Sequence, residues 1–537
     1  MRSALATVSI ALLLIVAGCS GANTGDGSVG GSDGGVGGGD GASAGSSDTL
    51  GVAVGGAQDA NTFRRNVEEG YVPQPSSLTY EGLYHDYYFD TGQKEPCERL
   101  FCPSYSQAVA RDPISDEREQ FMTVGLNSGL SEADFERQPL DVVLVLDTSG
   151  SMAERFDEYH YDGEGDGDGN QAKLEAATEA IASMTEQLES DDRLGVVTYD
   201  RRARTVQSLR RVDDLDRGAL REQLDSIDAD GGTNLDAGMR RARSVASEGG
   251  GAERATRVIY VTDAMPNLGD TGGRSLESRL RDHASAGVET TFVGVGVDFN
   301  TDLTESISTV RGANYYSVDS PQAFDERMAE GFEYMVTPLV YDLTLEVETE
   351  GYEIERVYGS PQAEASTGRL MHVTTLFPSR STSNGSEGSV VLVELDRTDG
   401  AADGTVEVNA SYETPGGIER SSTRTVAFDR HDAPYFETTG VRRAVVLTEY
   451  ATLLRNWMSH ERSGAVGVDA TAGIEYRELG QWEQRSVGLQ VSRPYDERIA
   501  AFVPYFRRHA EALGTEQFEA DLAVLERLDD ETTASAE

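Results

Sequence analysis

From residue 141 to about 335, short apolar runs alternate with amphipathic stretches. Val142-Val143-Leu144-Val145-Leu146 is continuous, the pattern of a strand buried on both faces of a parallel sheet. Leu174, Ala177, Ile181, Met184 and Leu188 step by three and four, which lays one apolar stripe along a helix. Leu194–Tyr199 reads as the next strand, and Leu235, Met239, Ala242 and Ala246 repeat the helical spacing. Strands at Val258–Thr262 and Thr291–Val297 follow, separated by a helix around Leu276–Ala286. This alternation predicts an α/β fold: a doubly wound, mostly parallel sheet over residues 141–335.

After Pro338 the period becomes two. Tyr341, Leu343, Leu345 and Val347 alternate with Asp342, Thr344, Glu346 and Glu348, and Val406, Val408, Ala410 and Tyr412 alternate with polar neighbours. With Val390–Leu395, these half-buried strands predict an accessory β-sandwich over 338–430. Val446, Tyr450, Leu453 and Trp457 share one helical face, and Ile499–Leu528 is helix-like, so residues 438–530 read as a C-terminal helical region. Residues 57–140 are mixed, with Tyr80, Tyr84, Tyr87, Tyr88 and Phe89 as the expected core of a small β-rich module. Residues 19–56, nearly all Gly, Ser, Ala and Asp past the first, read as a disordered linker, because they offer too little apolar surface to fold.

The beginning of the chain changes the setting of these domains. Arg2 precedes an apolar stretch, Ala4–Ala17, that is short for a bilayer span. Val16-Ala17-Gly18-Cys19 resembles a lipoprotein signal-peptidase site, with residues 1–18 as signal peptide and Cys19 as the lipidated residue. The alternative is an ordinary cleaved signal peptide beside a chance cysteine. No twin arginine precedes the apolar stretch, so export of an unfolded chain is expected, giving an extracytoplasmic, lipid-anchored envelope protein. Ser20 after the cysteine points to the outer rather than the inner membrane in a Gram-negative envelope. Cys97 and Cys102 remain as an even pair suited to a disulfide in an oxidising compartment. Zinc is the competing reading, but no histidine lies near them in a ligand spacing.

Acids outnumber bases 93 to 46, a formal charge of −47 over 537 residues, which argues against nucleic acid as a partner. Lysine occurs only at Lys94 and Lys173, the other bases being arginine. Such acidity with almost no lysine fits a salt-tolerant habitat with a GC-rich genome better than it marks a function.

Candidate chemistry gathers where the first buried strand ends. Asp147-Thr148-Ser149-Gly150-Ser151 places a carboxylate and two hydroxyls at alternate positions on a loop, where they can converge as hard oxygen ligands. Gly231-Gly232-Thr233-Asn234 offers a hydroxyl at the start of a helix, and Val258–Asp263 ends a second buried strand on an acid. Together these pieces resemble the metal-ion-dependent adhesion site of von Willebrand factor type A domains, which have a Rossmann-like fold. The resemblance covers 141–335 well, and 61–90 and 338–430 loosely, the last two through a bacterial lipoprotein subgroup. It implies a metal held by Asp147, Ser149, Ser151, Thr233 and Asp263, with Mg²⁺ favoured and Mn²⁺ or Ca²⁺ as alternatives. It also implies a protein partner whose Asp or Glu completes the metal shell. Ala264 departs from the pattern, since relatives often carry glycine after the aspartate.

An acidic loop follows the first motif. Glu164, Asp166, Asp168 and Glu175 have an EF-hand-like spacing for a second metal, against the blander reading of a solvated acidic insertion. Catalytic signatures are lacking: no phosphate-binding Gly-x-x-x-x-Gly-Lys, no His-Glu-x-x-His, and no nucleophile with a credible base. The expected function is therefore Mg²⁺-dependent protein binding by a membrane-anchored lipoprotein, not catalysis. A structural envelope scaffold with a non-essential metal site is the alternative, and a Ca²⁺-responsive protein or a hydrolase is more remote.

Overall fold

The computed structural model describes residues 49–55, 60–156, 171–249, 254–263, 268, 272–296, 309–318, 320–329, 331–360, 370–382, 385–398, 404–428, 430–465 and 487–534. Residues 1–18, read above as a signal peptide, Cys19, and Glu164, Asp166 and Asp168 of the acidic stretch lie outside these residues. Among the described residues no helix is long and apolar enough to cross a membrane.

The first described element is a strand, β1 (Thr49–Val54), inside the stretch expected to be a disordered linker. Its glycine content does not mark a tether. A Cβ at Gly51 would lie 2.5 Å from Ser379 Oγ and from Ser386 Cβ, so glycine there makes room for these two side chains. Next come α1 (Asn61–Glu68), α2 (Tyr80–His85), β2 (Tyr88–Phe89), β3 (Cys102–Arg111) and β4 (Arg118–Ser131).

The alternating segment forms the second layer system. It runs β5 (Leu140–Asp147), α3 (Lys173–Gln187), β6 (Arg193–Tyr199), β7 (Ala203–Arg211), α4 (Arg217–Asp225), α5 (Leu235–Ala246) and β8 (Ala255–Thr262). It continues through α6 (Gly273–Ser285), β9 (Val288–Val295), β10 (Asn314–Val318), α7 (Pro321–Met328) and α8 (Phe332–Val336). Six strands form one sheet in the order β10-β9-β8-β5-β6-β7, parallel except for the β6–β7 pair. Every residue of β5 is buried, which accounts for its unbroken apolar run. The stripe on α3 (Leu174, Ala177, Ile181, Met184) packs on one face with α7 and α8, while Leu235, Met239, Leu276 and Leu280 of α5 and α6 cover the other. The antiparallel edge strand β7 was not anticipated. Its positions are mostly half-buried or exposed and carry no clean alternation.

The chain then returns to the first system through β11 (Val340–Glu350), β12 (Tyr352–Tyr358), β13 (Leu370–Ser379), β14 (Ser381–Thr382), β15 (Gly385–Glu387), β16 (Val390–Arg397), β17 (Gly404–Glu413), β18 (Glu419–Phe428) and β19 (Tyr435–Phe436). Here the structure redraws the expected boundaries. Residues 57–140 and 338–430 are not two modules: β1, β3 and β4 join the later strands in one ten-stranded sheet along the path β12-β16-β4-β1-β13-β11-β17-β18. A period of two reveals that a strand is half buried but says nothing about which strand it will pair with.

One face of this sheet packs on the helices α9 (Thr439–Ala465), α10 (Arg493–Leu513) and α11 (Glu516–Ala534). Tyr84, Tyr87 and Phe89 belong to that core, beside Tyr450, Trp457, Phe506 and Phe518, so the aromatic cluster serves the helices as well as the strands. The other face encloses a second core that includes Met122, Leu343, Val391, Val408 and Tyr412. Against this accessory body rest the amino-terminal ends of β9 and β10, and the hydroxyl of Thr62 in α1 also bonds that of Ser317 near the carboxyl end of β10. Gly312 N–H donates to Thr375 Oγ1 at 2.9 Å, Tyr341 hydroxyl bonds Glu289, and Arg311 pairs with Glu413 at 2.6 Å. The carboxyl ends of the parallel strands, where open α/β sheets build their sites, are at the opposite end of the β-sheet.

Candidate metal centre

Asp147 closes β5, and the chain turns at once. Its Oδ1 accepts the N–H of Ser149 at 2.9 Å, which folds the loop back over the carboxylate. Its Oδ2 accepts from Thr262 Oγ1 at 2.6 Å. The Tyr199 hydroxyl donates to the same oxygen at 2.8 Å and lies 2.9 Å from Thr262 Oγ1. Three neighbouring strands, β6, β5 and β8, are thus locked together at their carboxyl ends. Burial pushes the Asp147 carboxyl above the usual carboxylate range, while the bonds from Thr262, Ser149 and Tyr199 oppose that shift. Burial and then the Asp147 charge push the Tyr199 hydroxyl up, so it stays a proton donor.

The loop after Asp147 is held from two further directions. Gly150 N–H donates to Gly231 O at 3.1 Å, and Asp230 N–H donates to Thr148 O at 3.0 Å. These bonds bring the Gly231–Asn234 segment against Ser149 and Ser151. Asn234 then caps α5 by accepting from Ala237 N–H at 3.0 Å, which sets Thr233 just before the helix. Asp263 follows Thr262, and the Thr262–Asp147 bond fixes it at the end of the strand adjacent to β5.

Asp147, Ser149, Ser151, Thr233 and Asp263 are all buried, Ser151 the most accessible at 7 %. Ser149 Oγ and Ser151 Oγ stand 3.2 Å apart. Neighbouring oxygens of an octahedral Mg²⁺ shell, with bonds of about 2.1 Å, are about 3 Å apart. Two carboxylates and three hydroxyls form an all-oxygen set that fits a small hard divalent cation. Two described cavities, about 140 Å³ beside His85 and Arg327 and about 410 Å³ beside Lys94 and Glu437, are lined by none of the five residues.

A family model described as von Willebrand factor type A domain matches residues 142–265, the segment that contains all five. The segment is a type A domain. Beyond it, the chain is 23 % identical over 347 residues to the YfbK protein of Escherichia coli K12, covering 61 % of this chain and 56 % of that protein. Human inter-alpha-trypsin inhibitor heavy chain H4 is 24 % identical over 255 residues, 46 % of this chain and 25 % of the relative. The chain thus spans about half or less of the length of these relatives. Among solved structures, a von Willebrand factor type A protein from Catenulispora acidiphila aligns with a TM-score of 0.43 and 16 % identity, covering 70 % of this chain and 84 % of that one.

Outside the type A site, Cys97 and Cys102 form a disulfide with a Cα–Cα separation of 5.8 Å. Glu175, the last member of the EF-hand-like spacing, sits in the first turn of α3 and points to solvent. Among the described residues no three His, Cys, Asp or Glu side chains group as a metal cluster.

Four residues around the type A site were missed in the sequence. Tyr199 and Thr262 read only as strand residues, and Glu154 lies in a loop without a motif. Lys173 carried a usable signal, as one of two lysines in a chain with 46 basic residues.

Proposed function

We propose that the type A domain binds a protein partner through a divalent cation, Mg²⁺ in the first place, held by Asp147, Ser149, Ser151, Thr233 and Asp263. The observation that carries this reading is the buried convergence of Asp147, Ser149 and Ser151, with the Thr233 and Asp263 segments tied to them by hydrogen bonds. When bound, the ion offers an open coordination position to a carboxylate of the partner. The rest is done by the chain. Tyr199 and Thr262 orient Asp147, the Gly150–Gly231 bond holds the serine loop, and the amino end of α5 adds a partial positive charge beside Thr233 that favours an incoming anion.

Val16-Ala17-Gly18-Cys19 supports lipidation at Cys19 and display of the domain from the envelope membrane. The test is a calorimetric titration of the protein with Mg²⁺, paired with capture of partners from envelope extract. Asp147→Ala should abolish Mg²⁺ uptake and capture while the protein stays folded. Capture by wild type in excess chelator would instead favour a scaffold that does not use its metal.

A further inference from the structure

We infer that Lys173 is an internal competitor for the metal, a resident monocation shared between Asp263 and Glu154 that weakens divalent binding. The inference rests on the metal reading above and concerns how that site is tuned.

Lys173 begins α3, and its backbone N–H donates to Glu154 O at 2.9 Å, while Arg155 and Ala172 form a bridge beside it. The helix start is therefore pinned to the end of the serine loop. From there the side chain runs inward and is fully buried. Its Nζ lies 4.0 Å from Asp263 Oδ2 and 3.9 Å from Glu154 Oε2, nearly equidistant from the two carboxylates. Asp263 is fully buried and Glu154 is 22 % exposed.

The surroundings are shaped for an ammonium group. Gly296, just past β9, has φ +97°, and a Cβ there would lie 2.6 Å from Lys173 Cε. Glycine is required both by the backbone conformation and by the space the lysine fills. The chain otherwise uses arginine almost throughout, and its other lysine, Lys94, has a 65 % exposed side chain. A guanidinium is planar and larger than an ammonium, so this packed position suits lysine alone.

The electrostatic consequence follows from the placement. Without metal, the ammonium offsets the mutual repulsion of the buried Asp147 and Asp263 carboxylates. A divalent ion held by Asp263 would lie close to the like charge of the ammonium, 4.0 Å from Asp263 Oδ2. Glu154, 3.9 Å from Nζ, would then be the carboxylate left to pair with the lysine. Both residues act on the ion through Asp263 and are positioning residues, not ligands.

The experiment is a Mn²⁺ titration of the full-length protein, followed by the electron paramagnetic resonance signal of free Mn²⁺, for wild type, Lys173→Met, Glu154→Gln and the double variant. Lys173→Met should tighten Mn²⁺ binding about 10-fold or more, and Glu154→Gln should weaken it severalfold. The double variant should behave as Lys173→Met, since Glu154 matters only while the lysine is present. A purely structural role for Lys173 would loosen the site, not tighten it. Thermal unfolding in chelator provides the second readout: Lys173→Met should melt lower than wild type and regain more on adding Mn²⁺. If wild type binds Mn²⁺ in an Asp147-dependent way but Lys173→Met is no tighter, the metal reading stands and the competitor role is overturned. Folded protein that takes up no Mn²⁺ in any variant overturns both.

Discussion

The guanidinium of Arg64 in α1 grips the buried carboxylate of Asp521 in α11, Nε to Oδ1 at 2.8 Å and Nη2 to Oδ2 at 3.3 Å. Tyr87 and Tyr450 donate to the same carboxylate, and Asp86 pairs with the other side of the guanidinium. The last helix is thereby fastened to the first through one fully buried charge. Removing Asp521 leaves Arg64 without its principal counter-charge. Asp521→Ala should cost about 3–5 kcal/mol, the usual penalty for breaking a buried pair. Urea unfolding followed by fluorescence of the buried Trp457 would measure it. A loss below about 1 kcal/mol would mean the helices are held by their apolar contacts alone.

The sheet face under α9 and the helix itself carry a group of acids, Glu119 and Glu449 half-buried and Glu394 buried, that are sensitive to pH. Burial, then Glu394 and Asp112, push Glu119 up to about 7, and burial raises Glu394 and Glu449 as well. A folded-state pKa above the unfolded value of about 4.5 means the folded protein holds more protons, so stability falls as pH rises. The contribution is fully present below the unfolded value and is lost as pH passes through about 7 for Glu119. Glu119→Gln should raise the melting temperature at pH 8, leave it nearly unchanged at pH 4, and flatten the slope between. Melting curves at the two pH values decide it.

Tyr199 supports Asp147, the proposed metal ligand, without being able to replace it. Tyr199→Phe removes one of the donors to Asp147 Oδ2 and leaves Thr262 in place. Loss of such a supporting bond typically weakens metal affinity about 10–100-fold, so Mg²⁺ binding should fall into that range with folding retained. Calorimetry together with a circular dichroism spectrum would separate a weakened site from a damaged fold.

The Cys97–Cys102 bridge closes a loop with a sequence separation of 5, next to Arg99, whose carbonyl accepts from Gly129 N–H at 2.8 Å in β4. A loop this short constrains the unfolded chain modestly, by about 2 kcal/mol in the chain-entropy account. Cys97→Ser/Cys102→Ser should therefore lower stability by about that amount without changing Mg²⁺ uptake. Peptide mapping of unreduced protein should recover the linked pair.

How far these features could be read in advance depended on whether a residue's role is local. The strands that lead into Asp147 and Asp263 are buried on both faces, so their apolar runs and the acids closing them stand out in one dimension. Thr233 was legible because the Gly231–Asn234 segment stands just ahead of the helical spacing that begins at Leu235. By contrast, Tyr199, Thr262, Glu154 and Lys173 gain their meaning only when separate elements meet, and no spacing connects them. β1 was hidden for a different reason. Glycine lowers strand propensity, yet at Gly51 it leaves the room that the side chains of Ser379 and Ser386 fill. Pairing among β1, β4, β13 and β16 was equally invisible, because half-buried strands of similar pattern can combine in many registers.

The interleaved accessory sheet also sets an order of events as the chain is made. All six strands of the type A sheet lie between Leu140 and Val318, so that sheet has every partner it needs once Val318 has emerged. β1 cannot complete its pairing until β13 arrives, and β4 must wait for β16. The type A domain is thus a guest that can finish before its host. Until the host closes, β1 and β4 present apolar strands with open edges, the kind of surface that recruits other chains. A product truncated before Leu370 would combine a complete type A sheet with an accessory body that cannot close, soluble at one end and adhesive at the other for reasons unrelated to any metal.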